Sequence, residues 1–226
     1  MMSSITLKDY YVAYIDILGM KYKIKTYSDN DFEQLCNQIS ELVNSILESN
    51  ESNEKYGMAH IDFHMFSDNM IFLCKDVATL IDFIALLQRR IMVQLRLLIK
   101  GGLNQGSIYY DKGHFLLGKG LLYAYELDKN YHRAAIRIDK VIADRYELGT
   151  IIKKLDDEEF IIDYLYNDFC YDPIDAEEND LPIHKNIIIE GLKNSTREDV
   201  LEKYEWLKKY HNVFCMERGY IDLIIE

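Results

Sequence analysis

Two carboxylates in otherwise apolar or turn-forming surroundings are the residues of this chain best suited to do chemistry. Asp16 lies inside the apolar run YVAYIDILGM, at residues 11–20, and Asp68 lies in the Ser-Asp-Asn turn at 67–69. A carboxylate buried without a partner is costly, so Asp16 is expected to face a cation. Two carboxylates side by side repel each other, but together with Mg²⁺ or Mn²⁺ they form a hard oxygen site of the kind that binds triphosphates.

Each of these carboxylates also has a plain structural interpretation. Asp16 could be a buried residue paired with a lysine such as Lys21, and Asp68 could be an ordinary turn residue, because Ser-Asp-Asn suits a turn. The pair is informative only if the fold brings both side chains together.

The hydrophobic pattern predicts the elements that position both carboxylates. Strands are predicted at 10–18, 58–66, 69–75 and 97–111, and amphipathic helices at 28–49 and 79–95. The segments 58–66 and 69–75 form a hairpin whose turn carries Asp68. Three glycines in 97–111 indicate a bend or the close approach of another backbone.

The order β-α-β-β-α-β predicts an α+β, ferredoxin-like core with both helices on one face of the sheet. The other face is left for a ligand or a partner subunit. In such a core the first strand lies beside the hairpin, so Asp16 and Asp68 are expected to approach each other. Residues 1–145 are predicted to form this core, and residues 146–226 a C-terminal extension that completes the domain.

Further elements are predicted after the core. They are a helix at 121–129, strands at 134–139 and 160–166, an acidic solvated loop at 171–180 and a helix at 195–211 opened by a capping box of Ser195 and Glu198.

Composition excludes several functional classes. The net charge of −12 disfavours a general affinity for nucleic acid, because phosphate backbones require a basic surface. No apolar run is long enough for a transmembrane helix, and the first residues lack the layout of a signal peptide, so a cytoplasmic protein is expected. The four cysteines are far apart and form no metal knuckle or disulfide framework.

Alternation places His60, Asp62 and His64 on one face of their strand, which could bind a transition metal. No further ligand is evident in the sequence, so a solvated strand face is favoured for these three residues.

Several segments resemble the catalytic core of class III nucleotidyl cyclases. These enzymes begin with a strand that ends in Asp-Ile-x-Gly-Phe, and residues 16–20 read Asp-Ile-Leu-Gly-Met. Their second metal carboxylate lies in a hairpin turn, as Asp68 does in FSDNMIF. A glycine-marked strand and a glycine that opens a helix follow, matched here at 99–106 and 116–128. More narrowly, the segments YIDILG, FSDN, KGGLNQG and GKGLLYAYELD look like those of the bacterial pyrimidine cyclases of Pycsar antiphage systems, although Lys100 stands where they commonly carry arginine.

The chain departs from the purine cyclases at the positions that read the base. The lysine that they carry four residues before the hairpin aspartate is His64 here, and their base-reading aspartate falls at Phe115. The asparagine and arginine that stabilise their transition state fall at Leu122 and Glu126. The resemblance therefore implies either a pyrimidine substrate with other cations in place of the arginine, or a non-catalytic relative that binds nucleotide or dimerises.

For an active enzyme, the resemblance implies cyclisation of UTP or CTP to the 3′,5′-cyclic monophosphate with release of diphosphate. Two Mg²⁺ or Mn²⁺ ions are expected on Asp16, Asp68 and the Ile17 carbonyl. The turn that contains Ile17, Leu18, Gly19 and Met20 precedes a helical segment, so its N–H groups are candidates for phosphate contacts.

Four further residues are candidates for substrate contacts. His64 is expected to contact the base, and Lys100, Lys119 and Arg137 are candidates for the missing positive charge.

The resemblance also implies partners. They are a head-to-tail homodimer with its sites at the interface and an effector with a cyclic-nucleotide-binding domain that receives the signal during phage infection.

Overall fold

The structure of the chain, a computed structural model, describes residues 7–54, 57–111, 115–129, 133–145, 151–155, 158–165 and 180–226. The strands are β1 (Lys8–Ile17), β2 (Ile61–Phe66), β3 (Asn69–Cys74), β4 (Ile99–Asp111), β5 (Phe115–Gly118), β6 (Ile136–Ile138), β7 (Ile152–Lys154) and β8 (Phe160–Ile162). The helices are α1 (Met20–Thr26), α2 (Asp29–Glu54), α3 (Val77–Leu95), α4 (Lys119–Lys129), α5 (Lys140–Arg145), α6 (Leu181–Asn194) and α7 (Glu198–Arg218).

One mixed sheet organises the described residues, and the α+β prediction is confirmed. Its strand order is β2-β3-β1-β4-β6-β8-β7, with β5 paired to β4. The first four strands in this order are antiparallel neighbours, as a ferredoxin-like core requires. Strand β6 then adds to β4 in parallel, so the sheet continues beyond that core.

The larger apolar core lies on one face of the sheet, beneath α2 and α3. Alternate residues of β1, such as Ile15 and Ile17, pack there with Ile39 of α2 and Ile84 of α3. The prediction that these two helices share one face is therefore confirmed.

The sequence suggested that the opposite face of the sheet is left free for a ligand or a partner subunit. In the structure, α4 covers part of that face. Ala124 of α4 packs there against Val12 of β1, Leu73 of β3 and Ile108 of β4. Side chains of β1 at even positions, including Tyr14 and Asp16, consequently point toward the α4 side.

Two glycines of β4 allow α4 to pack this closely. A Cβ atom at Gly102 would lie 2.2 Å from the carbonyl oxygen of Ala124, and one at Gly106 would lie 2.7 Å from the backbone nitrogen of Gly120. These separations are too short for any side chain. The glycines therefore mark the close approach of another backbone, which was one of the two interpretations of the sequence.

The C-terminal helices α6 and α7 form a second apolar cluster with the end of α3. Ile188 of α6 and Leu207 of α7 are fully buried there beside Met92. Helix α6 was not predicted from the sequence. Helix α7 begins at Glu198, and the predicted Ser195–Glu198 capping box is wrong, because Arg197 is the N-cap and makes no side-chain capping bond.

The predicted acidic loop at 171–180 lies outside the described residues except for Asp180, which pairs with Arg89 of α3 at 2.5 Å. The division of the chain near residue 145 stays a prediction. None of the helices that the structure describes combines the length and apolar character needed to cross a membrane.

A chain of buried hydrogen bonds joins α6 and α7 to the C-terminal residues. The carbonyl of Leu223 can only accept, so His211 donates to it from Nε2 over 3.0 Å and presents an accepting Nδ1. His184 Nδ1 then donates to His211 Nδ1 over 3.0 Å, and its Nε2 accepts from the Tyr164 hydroxyl over 2.8 Å. Both imidazoles are therefore neutral in the folded chain.

This neutral pair predicts a loss of stability in mild acid. Burial and the neighbouring His211 lower the pKa of His184 well below 6.5, and burial lowers the pKa of His211. The unfolded chain thus binds more protons below a pH of about 6.5, so the free energy of unfolding falls as the pH is lowered from there. Urea denaturation between pH 7 and pH 5 measures this slope.

The matched control for this prediction is the double variant His184→Gln, His211→Gln. We expect the slope of stability against pH to become shallower in that variant, because it removes both titrating groups. An unchanged slope in the same pH window would show that other groups cause the acid sensitivity.

Candidate active site

Asp16 lies near the end of β1, between the two strands that flank it. Its register partners are Asn69 on β3 and Lys100 on β4. About a quarter of its side chain is exposed, at 24%. A carboxylate in this position is accessible from the α4 side of the sheet while its backbone remains within the sheet.

Asp68 lies in the β2–β3 turn, directly beside the end of β1. The backbone carbonyl of Asp68 accepts a hydrogen bond from the Ile17 N–H over 3.2 Å. The two carboxylates therefore belong to adjoining segments at the same end of neighbouring strands. The segments that carry Asp16 and Asp68 therefore adjoin, while the convergence of the two side chains on a metal stays a prediction.

Lys100 joins Asp16 to a third carboxylate that sequence reasoning missed. Its Nζ lies 3.3 Å from Oδ2 of Asp16 and donates to Asp128 of α4 at 2.6 Å to Oδ1 and 2.5 Å to Oδ2. Only 8% of the Asp128 surface is exposed. One ammonium is thus shared unequally between a strand carboxylate and a helix carboxylate.

The sequence did contain a signal for Asp128. Gly120, Ala124 and Asp128 follow one another at four-residue intervals and are the buried residues of α4. Residues four apart lie on one helix face. An acidic residue on the face that carries Gly120 and Ala124 must therefore face the sheet and find a cation there.

Negative charge dominates this end of the sheet. Burial raises the pKa of Asp16, Lys100 lowers it, and the charges of Asp128 and Asp68 raise it further. The same surroundings raise the pKa of Tyr14 to about 12, chiefly through burial and then through Asp128 and Asp16. The Tyr14 hydroxyl donates to the side chain of Asn69. The site consequently favours an additional cation.

The turn after β1 offers fewer phosphate-binding N–H groups than the sequence suggested. The Ile17 N–H is bonded to Asp68, and the Leu18 N–H donates to the carbonyl of Leu98 over 2.8 Å. Gly19 adopts a left-handed conformation with φ of 78° and precedes α1. Within α1, the N–H groups of Tyr22 and Lys23 donate to the carbonyl of Gly19 over 3.0 and 3.2 Å, so only those of Met20 and Lys21 lack an acceptor within the helix.

The predicted base and charge contacts lie in different places. The ring of His64 on β2 meets that of Tyr110 edge-on at 5.1 Å, and its buried Nε2 has no hydrogen-bond partner among the described residues. The guanidinium of Arg137 bonds to Glu159 at 2.5 Å and to the Leu127 carbonyl at 3.0 Å.

Lys119 lies at the opposite end of α4 from Asp128, about 14 Å away along the helix axis. Within one subunit, the fold therefore brings Lys100 to Asp16 but does not bring Lys119 there.

Three of the four positions where purine cyclases carry base-reading and transition-state residues are exposed. Phe115 is 63% exposed, Leu122 is 50% exposed, and Glu126 is also on the surface. None of the three faces the interior of this subunit.

No preformed metal cage exists in the described part of the chain, where no group of three or more His, Cys, Asp or Glu side chains is arranged to hold an ion. Mg²⁺ characteristically binds through one or two carboxylates and takes its remaining ligands from water and substrate phosphates. The Asp16 and Asp68 carboxylates, with the backbone carbonyl of Ile17, fit that kind of site.

Comparison with solved structures identifies the fold. The guanylyl cyclase domain of the RhoGC fusion protein from the aquatic fungus Blastocladiella emersonii, in its non-canonical dimeric form, matches with a TM-score of 0.53 and 15% identity, over 69% of this chain and 96% of that one. The adenylyl cyclase CyaB from P. aeruginosa matches with a TM-score of 0.51 and 13% identity, over 70% and 94%.

The chain has the fold of a nucleotide cyclase catalytic domain. A rhodopsin-guanylyl cyclase core with converted specificity, in complex with ATPαS, also matches with a TM-score of 0.51 and 13% identity, over 70% of this chain and 98% of that one. No protein-family model and no curated protein matches the sequence. At these identities the likeness extends to the fold and not to the reaction.

Proposed function

We propose that this protein is a pyrimidine nucleotide cyclase that converts UTP or CTP to the 3′,5′-cyclic monophosphate and diphosphate. The observation that carries the proposal is the pair of carboxylates, Asp16 and Asp68, on adjoining segments of a cyclase fold. Like charges held together at a sheet end are costly to the fold, and a divalent cation relieves that cost.

The donor set suits Mg²⁺ or Mn²⁺, two ions per site. Carboxylate and carbonyl oxygens are the ligands that these hard cations prefer. Bound ions supply charge neutralisation for the triphosphate and acidify the attacking 3′-hydroxyl. Asp16, Asp68 and the Ile17 carbonyl would hold them.

The remaining contributions of the chain are positioning and electrostatic. Of the four turn residues predicted to contact phosphate, Ile17 and Leu18 use their N–H groups within the fold, so the N–H groups of Gly19 and Met20 are the remaining candidates to orient phosphate oxygens. Lys100 provides a positive charge beside the carboxylates for the triphosphate. Phosphoryl transfer depends mainly on such alignment and charge stabilisation.

The proposal of a pyrimidine rests on what replaces the purine-reading residues. Phe115 offers no hydrogen bond where the purine cyclases carry aspartate, and His64 stands in place of their lysine. His64 stands on the same hairpin as Asp68, four residues before it, which makes its imidazole the candidate for a contact with the base. The resemblance to the Pycsar cyclases extends the proposal to antiphage signalling through a cyclic-nucleotide-binding effector.

A homodimer is part of the proposal. Phe115 and Leu122 are large apolar side chains that remain exposed on β5 and α4. A head-to-tail partner would cover these side chains and place them against the carboxylate end of the other subunit, which completes two equivalent sites.

The test is a product assay with each nucleoside triphosphate separately, in the presence of Mn²⁺. We expect cyclic UMP or cyclic CMP, identified by mass spectrometry, with little product from ATP or GTP. Folded protein that forms no cyclic product from any of the four, or forms it only from a purine, would refute the proposal.

A non-catalytic nucleotide-binding or dimerisation module is the second candidate. Leu122 and Glu126 replace the residues that stabilise the transition state, and Lys100 already neutralises part of the carboxylate charge. Thermal shift measurements with UTP and CTP, with and without Mn²⁺, distinguish the two functions. Stabilisation by nucleotide without any turnover would select the binding module.

A further inference from the structure

The unequal sharing of one ammonium between two carboxylates suggests how the proposed metal site is kept available. Asp128 takes both short contacts of Lys100, at 2.5 and 2.6 Å, while Asp16 lies 3.3 Å from the same nitrogen. An ammonium that moved fully onto Asp16 would neutralise the carboxylate and compete with an incoming cation.

The geometry points to Asp128 as a positioning residue: its carboxylate holds Lys100 back from Asp16 and so leaves Asp16 able to bind a divalent ion. This inference rests on the proposed function, since it concerns the same metal site. In this inference α4 contributes to the metal site through the buried Asp128, and not through its exposed residues Leu122 and Glu126.

The packing of α4 makes Asp128 a rigid anchor for the lysine. Asp128 shares its helix face with Gly120 and Ala124, which lie directly on β4 and β1. Its side chain is 8% exposed, and that of Lys100 is 13% exposed, so water screens the pair little. Because β4 and α4 are held together at Gly102, the distance from Asp128 to Lys100 is set by the fold.

The carboxylates at this end of the sheet outnumber the lysine that pairs with them. Asp16 and Asp128 together carry two negative charges, and Lys100 supplies one positive charge between them. Asp68 adds a further negative charge from the neighbouring turn. With Lys100 held mainly by Asp128, the uncompensated charge remains on the Asp16 and Asp68 side, where a cation can approach.

The test measures the binding of Mn²⁺ alone, from the electron paramagnetic resonance signal of the free ion titrated with protein. Asp128→Asn keeps the shape of the side chain but removes its charge, so Lys100 is released to Asp16. We expect the dissociation constant for Mn²⁺ to rise about tenfold, the scale of change seen when partners of metal ligands are removed. Asp16→Asn defines the background of non-specific binding to this acidic protein.

The double variant Lys100→Met, Asp128→Asn separates positioning from direct ligation. Without the ammonium, Asp16 no longer needs to be protected, so Mn²⁺ affinity should return to the wild-type value or exceed it. Affinity that stays weak in the double variant would identify Asp128 as a metal ligand and overturn the inference. The single variant Lys100→Met provides an independent arm, and unchanged or weaker binding in it would also overturn the inference.

The outcomes distinguish this inference from the proposed function. If wild-type protein binds no more Mn²⁺ than Asp16→Asn does, both the proposed metal site and the positioning role of Asp128 are refuted. Wild-type binding with an unchanged Asp128→Asn affinity defeats only the positioning role. Melting temperatures of all variants, measured without metal, show whether each one is folded.

Discussion

Replacing Asp16 or Asp68 with asparagine is expected to abolish formation of the cyclic nucleotide. Asparagine keeps the shape of each side chain but removes the negative charge that would hold the divalent ions beneath the triphosphate. The loss should be about a thousandfold or more, because even one charge-stabilising group in an active site is worth up to that factor. Initial rates of cyclic UMP or cyclic CMP formation with Mn²⁺ measure it.

The same substitutions should leave the fold intact. Burial and neighbouring carboxylates raise the pKa of Asp16, so its charged form is disfavoured in the folded chain. Metal-free Asp16→Asn is therefore expected to melt at or above the wild-type temperature while it loses activity. Substitutions that raise stability and lower activity are typical of active-site carboxylates.

Asp82→Asn is the matched control for this prediction, because Asp82 lies on α3 on the far side of the sheet. That variant should retain wild-type activity. Retention of activity in Asp16→Asn and Asp68→Asn would contradict the assignment of both carboxylates. Unfolding of those variants would instead show that the carboxylates serve the fold.

Replacing Gly102 with alanine is expected to destabilise the protein strongly for a one-carbon change. The new Cβ would lie 2.2 Å from the Ala124 carbonyl oxygen and 2.6 Å from the Leu127 side chain, so α4 must move away from β4. Overpacking of this kind costs about 1–3 kcal/mol or more. In a protein of this size, each kcal/mol corresponds to about 2–4 °C of melting temperature. Differential scanning calorimetry measures the change.

The movement of α4 should also change the ion pair between Asp128 and Lys100. Asp128 lies one turn beyond Ala124, so a displaced α4 carries Asp128 away from Lys100. Ser107→Ala alters the same strand without adding an atom and is expected to change stability by less than about 0.5 kcal/mol. If Gly102→Ala melted like Ser107→Ala, the close contact between β4 and α4 would not exist in solution.

The central elements of the fold were predictable because their signals are local. Strict alternation in 58–66 and the turn residues at 67–69 specify the hairpin, and apolar residues at three- and four-residue intervals specify α2 and α3. These elements in this order leave few ways to build one sheet. The neighbourhood of Asp16 and Asp68 followed from that order, since both lie at strand ends.

Helix α6 was missed because its signal is mixed. Pro182 suggested a turn, yet proline also suits the first turn of a helix and occupies that place here. Gly191 weakens the helical pattern, and its reason is tertiary, because a Cβ there would lie 2.2 Å from the ring of Tyr204 on α7. Such long-range contacts leave no local trace in the sequence.

The acidic partners of the two candidate cations, Lys100 and Arg137, could not be predicted for the same reason. Arg137 on β6 pairs with Glu159, the residue before β8. Lys100 on β4 pairs with Asp128 on α4. Both pairings depend on how distant segments pack. Only the spacing of Gly120, Ala124 and Asp128 hinted that an acidic side chain would face the sheet.

In the proposed mechanism, Asp16 and Asp68 bind divalent ions beneath a nucleoside triphosphate. The most direct measurement is anomalous diffraction from crystals grown with Mn²⁺ and a non-cyclisable UTP analogue. The proposed mechanism predicts two manganese peaks about 4 Å apart, both within bonding distance of these carboxylates and of the triphosphate. Manganese bound elsewhere, or carboxylates that point away from the triphosphate, would contradict it.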